Sequence, residues 1–158
     1  MQSTQRGLEV KMTAIRKLTI SVSTSSQSGA GTDGDVYVGF CGREFFLDSS
    51  ADDFERNSSK TYILGEGSNI LNRQFNDPRV PQLQDTDIDL HPVYIRFVGN
   101  SRGDNWNLQR ASISFNDQLL PLYELLLARD GIWMGTRASG VAFLKKHNDG
   151  VGILKQAP

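Results

Sequence analysis

One cysteine, two histidines and no long apolar run set the first limits on this 158-residue chain. A single thiol, Cys41, removes an internal disulfide framework and a cysteine-rich zinc site, and its place in the Val36–Phe40 strand region makes it a packing residue. No stretch approaches the ~20 apolar residues that span a bilayer as a helix. The opening MQSTQRGLEVKMTAIRK lacks the apolar segment of a secretory signal, so the expected location is cytoplasmic, with peripheral membrane attachment as the further option; Met12 offers a second start at MTAIRKL. A formal charge of −1 with Lys and Arg scattered along the chain excludes the basic footprint of a nucleic-acid binder. His91 and His147 are the only near-neutral bases and neither lies in a nucleophile motif; no phosphate loop, zinc spacing or dinucleotide fingerprint accompanies them. The chain therefore reads as non-catalytic.

What is present is period-two patterning. In KLTISVSTS, Leu18, Ile20 and Val22 alternate with Thr19, Ser21 and Ser23, the mark of a strand with one wet face. DVYVGFC, PVYIRFV and ASISF repeat it, with shorter candidates at REFFL, TYIL and VAFLKK, and Gly, Asn, Asp and Ser punctuate the joins. These features predict an all-β, antiparallel β-sandwich of seven or eight strands over residues 15–147, flanked by a loosely held extension (1–14) and tail (148–158). Residues 65–84 carry no clean period and read as a long crossover with room for a short strand at Ile70. DTDIDL sets Asp85, Asp87 and Asp89 on one face of an extended segment, and fails as a calcium-binding EF-hand because Leu90 and Arg96 stand where Gly and Glu are required. Leu119–Gly131 has both helix and hairpin signals and is assigned to strand.

Two acidic stretches carry the candidate chemistry. GAGTDGDVYVGF places Asp33 and Asp35 between flexible glycines and a core strand, and SSADDFERNSSKTYIL gathers Asp52, Asp53 and Glu55 in a loop between strands. If both loops meet at one end of the sandwich, their carboxylates converge. Calcium suits that arrangement because it accepts six to eight oxygens in an adaptable shell, whereas magnesium wants a rigid octahedron. Solvated turn residues are the competing reading, and Asp35, pointing away from Val36, braces the loop.

GTDGDVYVGFCG, then DDFERNS leading into TYIL, then VYIRFVGNSRGDNWNLQRASI, follow in the order and spacing of the PLAT (polycystin-lipoxygenase-alpha-toxin, or lipoxygenase-homology) domain. The chain resembles that family over roughly residues 16 to 116, with a last pair of strands fitting up to Lys146. The resemblance implies an eight-stranded sandwich acting as a targeting module, with calcium as cofactor and lipid headgroups or a protein as partner. It implies ligands at Gly31, Thr32, Asp33, Asp52, Asp53 and Glu55, the first two through main-chain oxygens. Phe54, Trp106 and Trp133 are the candidate contacts with lipid or protein; Trp106 also reads as a packing residue. A calcium-independent interaction or self-associating sandwich is the alternative. The tripeptide Arg102-Gly103-Asp104 and the sequon at Asn57 are short matches read as chance.

Overall fold

A computed structural model describes residues 9–136 and 138–147. The tail 148–158 and the first eight residues of the extension lie outside these. Ten strand segments form two antiparallel sheets: β1 (Lys17–Thr24), β2 (Asp35–Phe40), β3 (Arg43–Phe46), β4 (Ser59–Gly65), β5 (Tyr94–Val98), β6 (Asn105–Phe115), β7 (Tyr123–Leu126), β8 (Ile132–Gly135), β9 (Val141–Phe143) and β10 (Lys145–Lys146). One sheet has the order β10-β7-β6-β1-β4, with β8 also on β6; the other runs β3-β2-β5-β9. β7 and β8 lie end to end along β6, facing Arg110–Ile113 and Asn105–Leu108 respectively. β9 and β10 are one run that changes sheet at the buried Leu144. Counting the end-to-end pair β7–β8 once and the run β9–β10 once gives eight strands, within the expected seven or eight.

The alternation in the sequence becomes the two faces of each strand. Leu18, Ile20 and Val22 of β1 are buried, while Ser21 and Ser23 on the other face meet the hydroxyls of Thr61 and Ser59 at 3.0 and 2.9 Å. Between the sheets lies one continuous core, in which Trp106, Tyr62, Phe40 and Phe45 are the largest fully buried side chains. Each such side chain removed from water contributes about 1.5–3 kcal/mol. Free sheet edges are covered by side chains that imitate a strand. Asn69 exchanges hydrogen bonds with Ile63 N and Thr61 O along β4, and Asn76 Oδ1 accepts from Phe46 N on β3.

Several segments depart from expectation. DTDIDL is a 3-10 helix, Asp85–Leu90, because Gln84 and Asp87 close a capping box and Asp85 accepts from Thr13 N, so local side-chain bonds outcompete extension. Ile70 is buried but in no strand; the crossover contributes one 3-10 turn, Arg73–Phe75. Cys41 is not in the strand but in the hairpin turn after it, where Cys41 (φ 52°) and Gly42 (φ 74°) are both left-handed, as a two-residue turn between twisted strands requires. The Leu119–Gly131 stretch is strand over Tyr123–Leu126 and then breaks at a turn, Gly131 N donating to Ala128 O with Gly131 at φ 58°. Main-chain pairing to the sandwich begins at Thr13 and Ala14, on Asp85 and Gln84.

Candidate metal centre at one pole of the sandwich

β1 ends, β2 begins, β4 begins, β5 ends and β6 begins at the same pole, which brings three loops together: 25–34, 47–58 and 99–104. Main-chain bonds stitch the first two. Thr24 N donates to Ser58 O at 2.9 Å, Asn57 N to Ser25 O at 2.9 Å and Thr32 N to Phe54 O at 3.3 Å. Gly31 is needed for this approach, since a Cβ there would sit 2.9 Å from Arg56 N. The third loop is tied in by Asp104, whose carboxylate oxygens each lie 2.9 Å from the donating hydroxyl of the buried Thr32. That hydroxyl in turn accepts from Gly34 N, and Asp104 also accepts from Asn100 N. Asp104 thus faces inward, which agrees with reading the Arg-Gly-Asp tripeptide as chance.

At this pole Asp33, Asp52 and Glu55 come together, all three exposed, with one carboxylate oxygen of each within 4.8 Å of the others. Twice a calcium–oxygen distance of about 2.4 Å is about 4.8 Å, so these oxygens fit one coordination sphere. Of the cations on the neighbouring elements, Arg56 Nε donates to Ser26 O and Lys60 pairs with Asp53. A groove of about 580 Å³ opens beside the trio, lined by Asp33, Glu55, Arg56, Arg102 and Asp104 among others. A smaller hollow of about 240 Å³ adjoins it, where Asp35 and Asp48 join Asp33 and Asp52. Burial first, and then the neighbouring Asp53 carboxylate, push the Asp48 carboxyl above its ordinary range.

Asp53, expected with the trio, is placed differently. Its carboxylate accepts from Ser49 N and Oγ at 2.7 and 2.8 Å, from Lys60 Nζ at 2.6 Å and from Tyr62 Oη at 3.0 Å. Burial alone would raise its pKa, but the donors from Lys60, Ser49 and Tyr62 together outweigh it and hold the carboxyl below the usual range. It braces the loop that presents Asp52 and Glu55. Lys60 also reaches Ser49 Oγ. Inward parity of Lys60 with Tyr62 and Leu64 along β4 was the signal for such a half-buried counter-charge.

Two expected surface contacts are corrected. Phe54 is 7% exposed, and its left-handed backbone (φ 60°) sends the ring inward between the exposed Asp52 and Glu55. There it stacks on Tyr62 at 5.6 Å and meets Trp106 edge-on at 5.4 Å. Trp106 is 0% exposed and its indole N–H donates to Thr24 Oγ1 at 2.8 Å. These rings form the floor under the three loops and cannot touch a partner. Trp133 is 42% exposed, in a groove that includes Gly29 and Gly103 of the acidic pole. His91 is exposed, and His147 contacts Glu124, which also pairs with Arg110.

No family model matches the chain, and no curated protein matches it. Solved structures do. The chain is similar to the alpha toxin from Clostridium absonum (23% identity over 84% of this chain and 32% of that one, TM-score 0.59). It is similar to an alpha toxin of Clostridium perfringens from an avian strain (20% identity, 84% and 31% covered, TM-score 0.57). It is also similar to a coral 8R-lipoxygenase described as calcium-activated via a C2-like domain (18% identity, 82% and 17% covered, TM-score 0.55). The chain spans less than a third of the length of each. The likeness shows the PLAT-type sandwich that the sequence motifs resemble.

Proposed function

We propose that this PLAT-type sandwich is a non-catalytic docking module that takes a calcium ion between Asp33, Asp52 and Glu55 and uses it to attach the acidic pole to phosphate-bearing lipid headgroups. The observation that carries the reading is the convergence of three exposed carboxylates from two separate loops within 4.8 Å, with no lysine or arginine paired to them among the described residues. Three like charges repel across loops that main-chain bonds already hold together, and a divalent cation would turn that repulsion into shared coordination in one sphere. The donor set is all oxygen, as a hard cation prefers. Main-chain oxygens of Gly31 and Thr32 would complete the shell from the first loop.

The reading extends to the lipid because a calcium ion held at an open, exposed site keeps positions for external oxygens, and neutralising the pole removes its repulsion from an anionic surface. Trp133, half exposed beside the same pole, would supply an amphipathic anchor at headgroup level. No described helix is long and apolar enough to cross a membrane, so attachment would be from the side. The coral lipoxygenase described as calcium-activated through its C2-like domain supports the same assignment. The test is a thermal melt of metal-stripped protein. Calcium should raise the melting temperature by linkage, and Asp33→Asn should remove the rise without lowering the metal-free value. Co-sedimentation with phosphatidylglycerol-containing vesicles, with and without chelator, then tests the lipid step. An unchanged melting temperature at millimolar calcium would overturn the reading.

A further inference from the structure

Two hollows at the acidic pole form one trough. The groove beside the cation trio and the groove at Trp133 share Gly29 and Gly103, and so adjoin across these two residues. Both glycines are left-handed (φ 74° and 97°), and a Cβ on either would meet nothing within 4 Å, so bare main chain borders an open join. Unlike charges line the first groove: Asp33 and Glu55 of the trio, and Arg56 and Arg102. Among the described residues neither arginine forms an ion pair, and their side chains make one hydrogen bond, Arg56 Nε to Ser26 O. Asp104 lines the same groove, but its oxygens already accept from Thr32 Oγ1 and Asn100 N. The second groove, of about 450 Å³, sets the half-exposed Trp133 indole and Ala138 beside Ser28 and Asn105.

We propose that the trough seats a single glycerophospholipid molecule, with its phosphodiester between the calcium ion and Arg102 and its glycerol ester end against Trp133. The proposal rests on the calcium site proposed at this pole and goes beyond it, because adsorption to a charged surface needs no defined seat for one lipid. A phosphodiester has an oxygen for the ion's open position and another for the unpartnered guanidinium. These contacts are local, in a pole that stays acidic around them through Asp35, Asp48 and Asp104, which favours a singly charged diester over a more highly charged headgroup. Free phosphate would meet the polar half alone, and a hydrocarbon chain the indole alone. A glycerophospholipid joins the two chemistries in the order in which the trough presents them. Each groove lies in the size range of small-molecule sites, about 300–1,000 Å³. A solvated surface arginine would account for Arg102 by itself, but not for its place in a groove that runs from a cation trio to an indole.

Isothermal titration of dihexanoyl-phosphatidylglycerol, kept below its critical micelle concentration, into the full chain with millimolar calcium tests this. Saturable binding of one lipid per chain is expected, lost on chelation and in Asp33→Asn. Arg102→Gln and Trp133→Ala should each weaken it about tenfold. In both variants the calcium isotherm measured without lipid should stay unchanged, which separates a lost lipid contact from a lost ion or a lost fold. Binding to phosphatidylglycerol vesicles in calcium, with no heat from the monomeric lipid, would overturn the trough and leave the calcium site standing. Monomer binding that both substitutions leave unchanged would overturn it too. A parent chain that takes no calcium fails earlier, at the melting test, and overturns both proposals.

Discussion

Replacing Asp53 by Asn separates the brace from the cation ligands, two roles that adjacent acidic residues would otherwise confuse. The substitution keeps the shape and one acceptor but removes the charge that Lys60, Ser49 and Tyr62 converge on. Its side chain is 9% exposed against 28% for Lys60, so the carboxylate is desolvated while the ammonium keeps partial access to water. A lost charge-assisted bond with burial of this kind amounts to about 1.5–3 kcal/mol, and solvent around Lys60 keeps the effect from reaching the upper range of fully buried pairs. Since 1 kcal/mol moves the melting temperature of a domain this size by about 2–4 °C, Asp53→Asn should melt roughly 5–10 °C below the parent protein. The pH dependence has a definite sign. The folded carboxyl is held below its ordinary value, so its stabilisation is present above the usual carboxylate range and fades as pH falls through the folded value. Asp53→Asn should flatten that acid limb. Differential scanning calorimetry from neutral to acid pH reads both effects. A variant melting within 1 °C of the parent (about half a kcal/mol or less) would refute the brace, because a carboxylate so placed cannot be lost silently.

Other expectations concern the same pole and the core. Phe54→Ala should destabilise by about 3–5 kcal/mol through the cavity left beneath the loops, while vesicle binding measured well below the melting temperature persists; loss of binding with full stability would restore Phe54 as a contact. Thr32→Val removes the hydroxyl that links Asp104 to Gly34, and calorimetry should show a loss of about 1–3 kcal/mol together with weaker calcium binding; an unchanged calcium affinity would uncouple the third loop from the site. Cys41 is 6% exposed, and burial, then Asp87 and Asp89, push its thiol up to about 12, so a disulfide reagent at pH 8 should label it only after denaturant is added.

The sheets were legible because alternation records burial directly. Leu18, Ile20 and Val22 had to share a face, and they do. DTDIDL misled for a local reason: its acids alternate as in a strand, yet Gln84 and Asp87 satisfy each other's backbone and Asp85 caps Thr13, a competition invisible to periodicity. Phe54 misled because an aromatic inside an acidic loop looks exposed until its backbone sign is known, whereas buried Trp106 agrees with its reading as a packing residue. Of the acidic residues, Asp33, Asp52 and Glu55 met as the loop order required, while Asp53 was claimed by Lys60. The clue was in β4, where Lys60 shares parity with Tyr62 and Leu64.

Isothermal titration of calcium into chelator-stripped protein tests the central claim most directly. A saturable isotherm should appear with the parent chain and with Asp53→Asn below its melting temperature, and should vanish with Asp52→Asn and with Asp33→Asn. Heats no different from dilution in the parent chain, or binding that survives both of the latter substitutions, would contradict a cation held between the two loops.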